Sequence, residues 1–307
     1  MSQKVALVTG ATGHQGGATA RELLKSGVKV HALVRSPSSE PALELRRLGV
    51  HLFPGDFDNV HAIQAAMEGV TAVFLNVSPI PSDAEREVIH GKNVIEATKN
   101  SGSVTTIVYS SVSMAGQHES FPGWGPDHPM AWYWLGKYYI EAMVRESGVK
   151  YWTILRPAFL MNNYHSPTSD FMFPDLAQRG VFLTAYKRST AMTVLDPGDV
   201  GKFAAAAIAE PEAYNKHEID LGVEALTPAE IVRELSRASG KEVGLQFYSD
   251  EEVAELAPKN PVLIAQLWTN DVGYQVDFKK LSKYPIRLTR FREYLEKHRD
   301  QVLWTFN

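Results

Sequence analysis

The chain of 307 residues has no cysteine. That one absence excludes disulfides, thiolate metal ligands, iron–sulfur clusters and a cysteine nucleophile. It also fits a reducing compartment, and a cytoplasmic location is expected. Long apolar runs are missing too. A stretch such as Phe203–Ala209 is far too short to span a bilayer. The first apolar run, Val5-Ala6-Leu7-Val8, meets Gly10 too soon for a signal peptide, and none is expected. There is no basic excess: 31 Lys and Arg stand against 35 Asp and Glu, for a net charge of −4. With no Lys/Arg run longer than two, a nucleic-acid surface is not expected. The histidines form no His-x-His or His-Glu-x-x-His spacing, so no metal site is expected, and His118 and His165 read as loop histidines or as a border of a substrate cleft. No Gly-x-Ser-x-Gly elbow occurs, which leaves a serine hydrolase unsupported.

What is present is a strand–helix alternation. Short Val- and Leu-rich runs at Lys4–Thr9, Val28–Val34, Val50–Phe53, Thr71–Val77 and Val104–Ser110 read as buried parallel strands. Between them lie helical patterns at Ala18–Ser26, Pro41–Leu48, Val60–Glu68 and Ala84–Lys99, the first three ended by Gly27, Gly49 and Gly69. A loop at Gln117–Pro129 holds Pro122, Gly123, Gly125 and Pro126 with Phe121 and Trp124. Met130–Ser147 follows as a helix and Tyr151–Leu155 as a sixth strand. Further on, Met192–Leu195 and His217–Leu221 read as strands. Gly198–Ala209, Pro228–Ser239 (capped by Thr227) and Thr289–Val302 read as helices. The expected fold is α/β: a Rossmann-like, doubly wound parallel sheet with a smaller α+β C-terminal substrate lobe. The expected division is a core of residues 1–155, with 190–223 returning to it, and a lobe of 156–189 and 224–307.

The first turn reads Gly10-Ala11-Thr12-Gly13-His14-Gln15-Gly16, directly after a strand and directly before a helix. In this setting Gly10 allows the tight turn, Gly13 lets the backbone approach a pyrophosphate, and Gly16 lets the helix pack close. The helix start offers N–H groups and a positive dipole end to phosphates. A tight turn without a ligand is the bland alternative. The second strand runs into Arg35-Ser36 where an NAD site would carry a carboxylate. Arg35, helped by Ser36 and Ser38, suits a ribose 2′-phosphate, so NADP(H) is the expected cofactor; a plain surface arginine is the other reading. Asp56 and Phe57 after the third strand, and Asn76 and Val77 after the fourth, fall where such folds bind ligands. Asp56 either reaches the adenine or caps the next helix.

Tyr133 and Lys137 lie four residues apart on one expected helix, hence on one face. A nearby ammonium favours phenolate; bringing a tyrosine from about 10 to neutrality takes roughly 4 kcal/mol. Such a tyrosine can protonate a carbonyl oxygen as hydride arrives. Ser110, Ser111 and Ser113, at the end of the fifth strand, can bind the substrate oxygen. Tyr133 can equally be one more aromatic beside Trp132 and Trp134.

Together these residues resemble the short-chain dehydrogenase/reductase superfamily, and within it the atypical NmrA-like branch. The matching pieces are the Thr9–Gly17 turn, Arg35, Gly55-Asp56, Tyr109-Ser110-Ser111, Lys137, and Leu155-Arg156-Pro157-Ala158-Phe159 running into Asn162-Asn163-Tyr164. The resemblance extends over about residues 4–250. It implies an NADP(H)-binding core in which Lys137 contacts the cofactor, while His14, Gln15, Lys92 and Pro157 to Phe159 line the cleft. Members of the family are either reductases of quinones, enones, imines or aromatic compounds, or NADP(H)-binding regulators without turnover. The expected reading is a reductase of a hydrophobic small molecule, working as a monomer or homodimer. Tyr133 is its proton donor, and Trp124, Trp132, Trp134, Met161 and Tyr164 line its pocket. The alternatives are an NADP(H) sensor, and an isomerase or lyase using tightly held NADP transiently.

Overall fold

The computed structural model describes residues 4–125 and 127–306; Pro126, read above as part of the long loop, lies outside them. The order is β1 (Val5–Val8), α1 (His14–Lys25), β2 (Lys29–Val34), α2 (Glu40–Arg47), β3 (His51–Pro54), α3 (Val60–Ala66), β4 (Ala72–Leu75), α4 (Arg86–Asn100), β5 (Thr106–Ser110), α5 (Ala131–Arg145) and β6 (Tyr151–Pro157). Then come β7 (Phe159–Leu160), α6 (Ser169–Met172), α7 (Pro174–Arg179), β8 (Val181–Thr184), β9 (Met192–Leu195), α8 (Pro197–Ala209), α9 (Pro211–Tyr214), β10 (His217–Leu221) and β11 (Glu224–Leu226). The chain ends with α10 (Pro228–Ser239), β12 (Gly244–Phe247), α11 (Asp250–Leu256), α12 (Pro261–Asp271), α13 (Phe278–Leu281), α14 (Phe291–Lys297) and α15 (Arg299–Thr305). None of the described helices is long and apolar enough to cross a membrane.

Two compact units emerge. The first comprises the chain up to Gly116, Trp132–Pro157 and Pro197–Asp220. Its seven-stranded sheet has the order β10-β6-β5-β4-β1-β2-β3. The pairs from β6 through β3 are parallel. The strand order reverses between β4 and β1, and open α/β sheets bind ligands outside the carboxyl ends of the strands at such a point. Leu7, Val73, Leu75, Ile107 and Ile154 build the core with Val94, Ile140 and Val144 from α4 and α5. This is the Rossmann-like arrangement expected from the alternation.

The second unit comprises Gln117–Ala131, Ala158–Asp196 and the chain from Leu221 onward. It carries a three-stranded sheet, β11-β9-β7, and a two-stranded one, β12-β8. Tyr164, Phe173, Phe182, Phe291 and Tyr294 form its aromatic core, with Ile231 and Leu235 of α10. Thr227 caps α10 in a capping box with Glu230, and Gly240 closes it in the left-handed conformation.

Several boundaries differ from expectation. Gln117–Ala131, expected within the core of residues 1–155, belongs to the second unit. Helix α1 starts at His14 instead of Ala18, with Gly16 and Gly17 inside its first turns. Glycine disfavours helix interiors, but here close packing on the preceding turn overrides propensity. The expected helix Thr289–Val302 is two helices that meet at His298, whose ring packs 4.4 Å from Tyr294 and leaves helical geometry at φ −107°, ψ 31°. The return to the first unit begins at Pro197, not at residue 190, because β9 pairs with β7 and β11 of the second.

Helix α8 meets α1 at backbone distance. A Cβ on Gly201 would lie 2.7 Å from the Ala18 carbonyl carbon and 2.8 Å from Thr19 N. Gly201→Ala is therefore expected to cost about 1–3 kcal/mol through overpacking, measured as a lowered midpoint in urea unfolding.

Candidate functional site

The glycine turn is fixed from both sides. The Thr9 side chain bonds to Phe74 O (3.1 Å) and Asn76 O (3.0 Å), and accepts from Asn76 N (2.6 Å). That ties the end of β1 to the end of β4. Gly10 sits at φ +62°, a region costly for a side chain, and its amide plane faces Asn76. Gly13 N–H donates to Gly10 O at 2.9 Å. A Cβ on Gly16 would lie 2.3 Å from Gly10 O, closer than real atoms approach, so only glycine lets α1 start here.

Helix α1 has Gly13 as its N-cap, with no side-chain cap and no acidic residue in the first turn. Its positive end is thus not compensated by the chain itself. Thr12, Gly13 and His14 are exposed on it. His14 keeps surface exposure, yet partial loss of hydration holds its imidazole below the ordinary value. Gln15 is anchored by Ser110, whose hydroxyl donates to Oε1 at 2.6 Å. This cradle fits a pyrophosphate: anionic oxygens complete a helix end that nothing else caps.

Because β2 runs beside β1, Arg35 stands at the same carboxyl edge. It is exposed, and no ion pair holds it among the described residues. Ser36 and Ser38 are exposed with it, and Ser36 O accepts from Ser39 N–H and Oγ. Asp56 does not cap α3. Its carboxylate accepts from Asp58 N (3.1 Å) and Asn59 N (3.0 Å), and Asn59 is the cap, accepting from Ala62 N. Phe57 is half-buried 5.4 Å from the His90 ring, and its carbonyl is held by Asn93. Asn76 abuts Gly10, and Val77 is buried. Lys92 is exposed on α4, whose buried residues include Glu87, Gly91, Val94 and Ile95.

Tyr133 and Lys137 share one face of α5, with Lys137 Nζ 5.9 Å from the Tyr133 ring centre. The lysine is not a bare cation. Its ammonium is buried and lies 2.5 Å from Glu87 Oε1 on α4, with side-chain exposures of 6% and 3%. The carboxylate lies close to the α5 backbone: a Cβ on Gly136 would sit 3.4 Å from Glu87 Oε2, in ordinary contact. The tuning of Tyr133 by an isolated lysine is corrected accordingly, since the phenol sees an ion pair. Glu87 was missed from sequence, although its helical phase with Gly91, Val94 and Ile95 places it on the buried face of α4.

Of the serines, Ser113 is occupied: its N–H donates to Pro157 O at 3.0 Å and its hydroxyl bonds Asp220. Ser111 N–H donates to Leu155 O, and its buried hydroxyl meets the Tyr109 phenol. Burial raises the Asp220 carboxyl above the usual carboxylate range, against the opposing effect of Arg156. Arg156 is taken up by Glu141, at 2.9 and 2.6 Å, and by Glu218. Burial, with the charges of Glu87 and Glu141, holds the proton on Tyr109.

The aromatic set is redistributed. Trp132 is half-buried next to Tyr133, whereas Trp134 is 1% exposed on the inner face of α5. In the second unit Phe159, Met161 and Tyr164 are core residues, Tyr164 stacking on Phe173 at 5.4 Å. These four pack the interior instead of lining a pocket or holding a cofactor. His165 is buried as well, its Nε2 2.7 Å from Tyr294 OH. Trp124 lies between the tilted rings of His118 (4.6 Å) and His128 (5.0 Å). A cavity of about 640 Å³ in this unit is lined by Pro122, His128, Val253, Ile264, Leu267 and Trp268 among others, and by none of the five aromatic and methionine candidates.

A parallel sheet with a glycine cradle at the switch from β1 to β4 defines a Rossmann-type dinucleotide-binding protein. The chain belongs to the NmrA-like family, whose model matches residues 2–295. It is 26% identical, over 97% of its length and 98% of the relative, to an NmrA-like family domain-containing protein of Dictyostelium discoideum. Its fold is similar to that of the NADPH-dependent quinone oxidoreductase QOR2 of Escherichia coli, solved with NADPH (TM-score 0.75, 25% identity, 96% and 99% of the two chains). It is similar also to NmrA, a negative transcriptional regulator solved with NADP (TM-score 0.73, 23% identity, 97% and 95%).

Removing Lys137 alone strands the Glu87 carboxylate. Lys137→Met is expected to destabilise the protein by about 3–5 kcal/mol. Stranding should raise the Glu87 pKa in the folded state, so the loss should be smallest below the unfolded carboxylate value and grow as pH rises above it. Urea midpoints for parent and variant at acid and neutral pH measure this.

Proposed function

We propose that this protein is an NADP(H)-dependent reductase of a hydrophobic carbonyl, quinone, imine or conjugated compound. The observation that carries the reading is the uncapped start of α1 inside a glycine cradle, with unpaired Arg35 at the neighbouring strand end. Backbone N–H groups from His14 to Gly16 hold the pyrophosphate, and Arg35 with Ser36 holds the 2′-phosphate. Lys137 keeps two N–H donors beyond its Glu87 bond and holds the nicotinamide ribose. Bound NADPH supplies the hydride. Tyr133 supplies the proton to the substrate oxygen or nitrogen, and the Ser111 hydroxyl steadies that atom. The quinone oxidoreductase among the relatives supports a quinone as the first substrate to test. The regulator among them supports the second reading, binding without turnover.

The test is NADPH oxidation, followed by absorbance, against quinones, enones, imines and aromatic ketones, with NADH in parallel. Turnover with NADPH well above NADH is expected. Arg35→Ala should weaken NADPH about 10- to 100-fold, as loss of charge-assisted bonds to a phosphate does, and leave NADH unaffected. Tyr133→Phe should lower turnover about 10²- to 10⁴-fold with cofactor binding intact. Tight NADPH binding without turnover on any compound would favour the regulator.

A further inference from the structure

We propose that Glu87 is a positioning residue that cancels the charge of Lys137 at Tyr133, keeping Tyr133 a proton donor instead of a phenolate base at neutral pH. The role rests on the reading of Tyr133 given above, while the electrostatics stand on geometry alone. A lone ammonium 5.9 Å from the Tyr133 ring would favour loss of its proton. Here that ammonium lies 2.5 Å from a carboxylate, and both groups are nearly dry, so water and salt screen neither. Two opposite charges this close act on the phenol as a weak dipole.

The packing builds the pair in. The Glu87 carboxylate lies against α5 beside Gly136, the residue before Lys137, where a Cβ would sit 3.4 Å from Oε2. Gly91, one turn beyond Glu87, lets α4 close on Ile140, to which a Cβ would come within 3.0 Å. Within the first unit, the other titratable groups on this side are Tyr109 on β5 and Glu141 on α5. Glu141 is engaged by Arg145 and Arg156. Tyr109 keeps its proton through burial and through the Glu87 charge. The arrangement suits carbonyl reduction, which needs a protonated tyrosine.

The experiment is an ultraviolet titration of tyrosinate without substrate. Tyr133 is isolated as the difference between each protein and its Tyr133→Phe counterpart. Glu87→Gln should make Tyr133 at least tenfold more acidic, and an unchanged ionisation constant overturns the proposal. Should Glu87→Gln fail to fold, with Lys137 left buried and uncompensated, the double variant E87Q/K137Q decides. It removes both charges and should leave Tyr133 within about twofold of the parent. A tenfold weaker acid there would mean that Lys137 acts as a bare cation, and the proposal fails. Because no turnover is read, these outcomes stand apart from whether the protein reduces any compound.

Discussion

Helix α1 is held at backbone distance on two sides, and the first unit is arranged around that contact. On one side Gly16 presses on the Gly10 carbonyl, and on the other Gly201 of α8 presses on Ala18 and Thr19. Neither contact tolerates a Cβ without movement of backbone, the least compliant part of a packed interior. The result is a helix whose first turn points out of the sheet at its switch point, with its N–H groups not capped by any side chain. An anion site of this kind is a by-product of close packing: glycine is required for the fold to close, and the same glycines leave the backbone bare.

The second determinant is charge in a dry place. Isolated buried charges are strongly unfavourable, so the first unit buries them in groups that cancel. Glu87 with Lys137 is one such group, and Glu141 with Arg145, Arg156 and Glu218 is another. Asp220, whose carboxyl burial shifts upward, completes the set with Ser113. These side chains come from α4, α5, β6 and β10, so a shift in any one element would strand a partner. Such networks fix orientation more than they add stability, and here the lysine they orient belongs to the candidate site.

How much of this was open to reading from the chain depends on the range of the interaction. Strand–helix alternation, the turn at Gly10–Gly16 and the cap at Thr227 are local patterns, and they appear where expected. Their causes lie within a few residues: period, φ preference, a hydroxyl reaching a nearby amide. The short elements from Phe159 onward, such as β7, α7 and β8, carry weak periodicity because they are packed around one aromatic cluster instead of on a single face. The expectation that Met161 and Tyr164 line a pocket failed for the same reason. An aromatic-rich segment reads alike whether it faces a ligand or a core.

The sequence by itself determined the class of fold, the cradle and the cofactor-side arginine, since each follows from residue types at fixed spacing along one segment. The tertiary structure alone decided that Lys137 is paired, that Ser113 meets Asp220, and that Trp134 faces inward. Each of these depends on a partner 50 or more residues away, as with Glu87 and Lys137, or on which side of a helix packs on the sheet. Spacing along the chain carries no record of such partners. Only the packed helices and strands bring the charges close enough, and keep them dry enough, for their interaction to count.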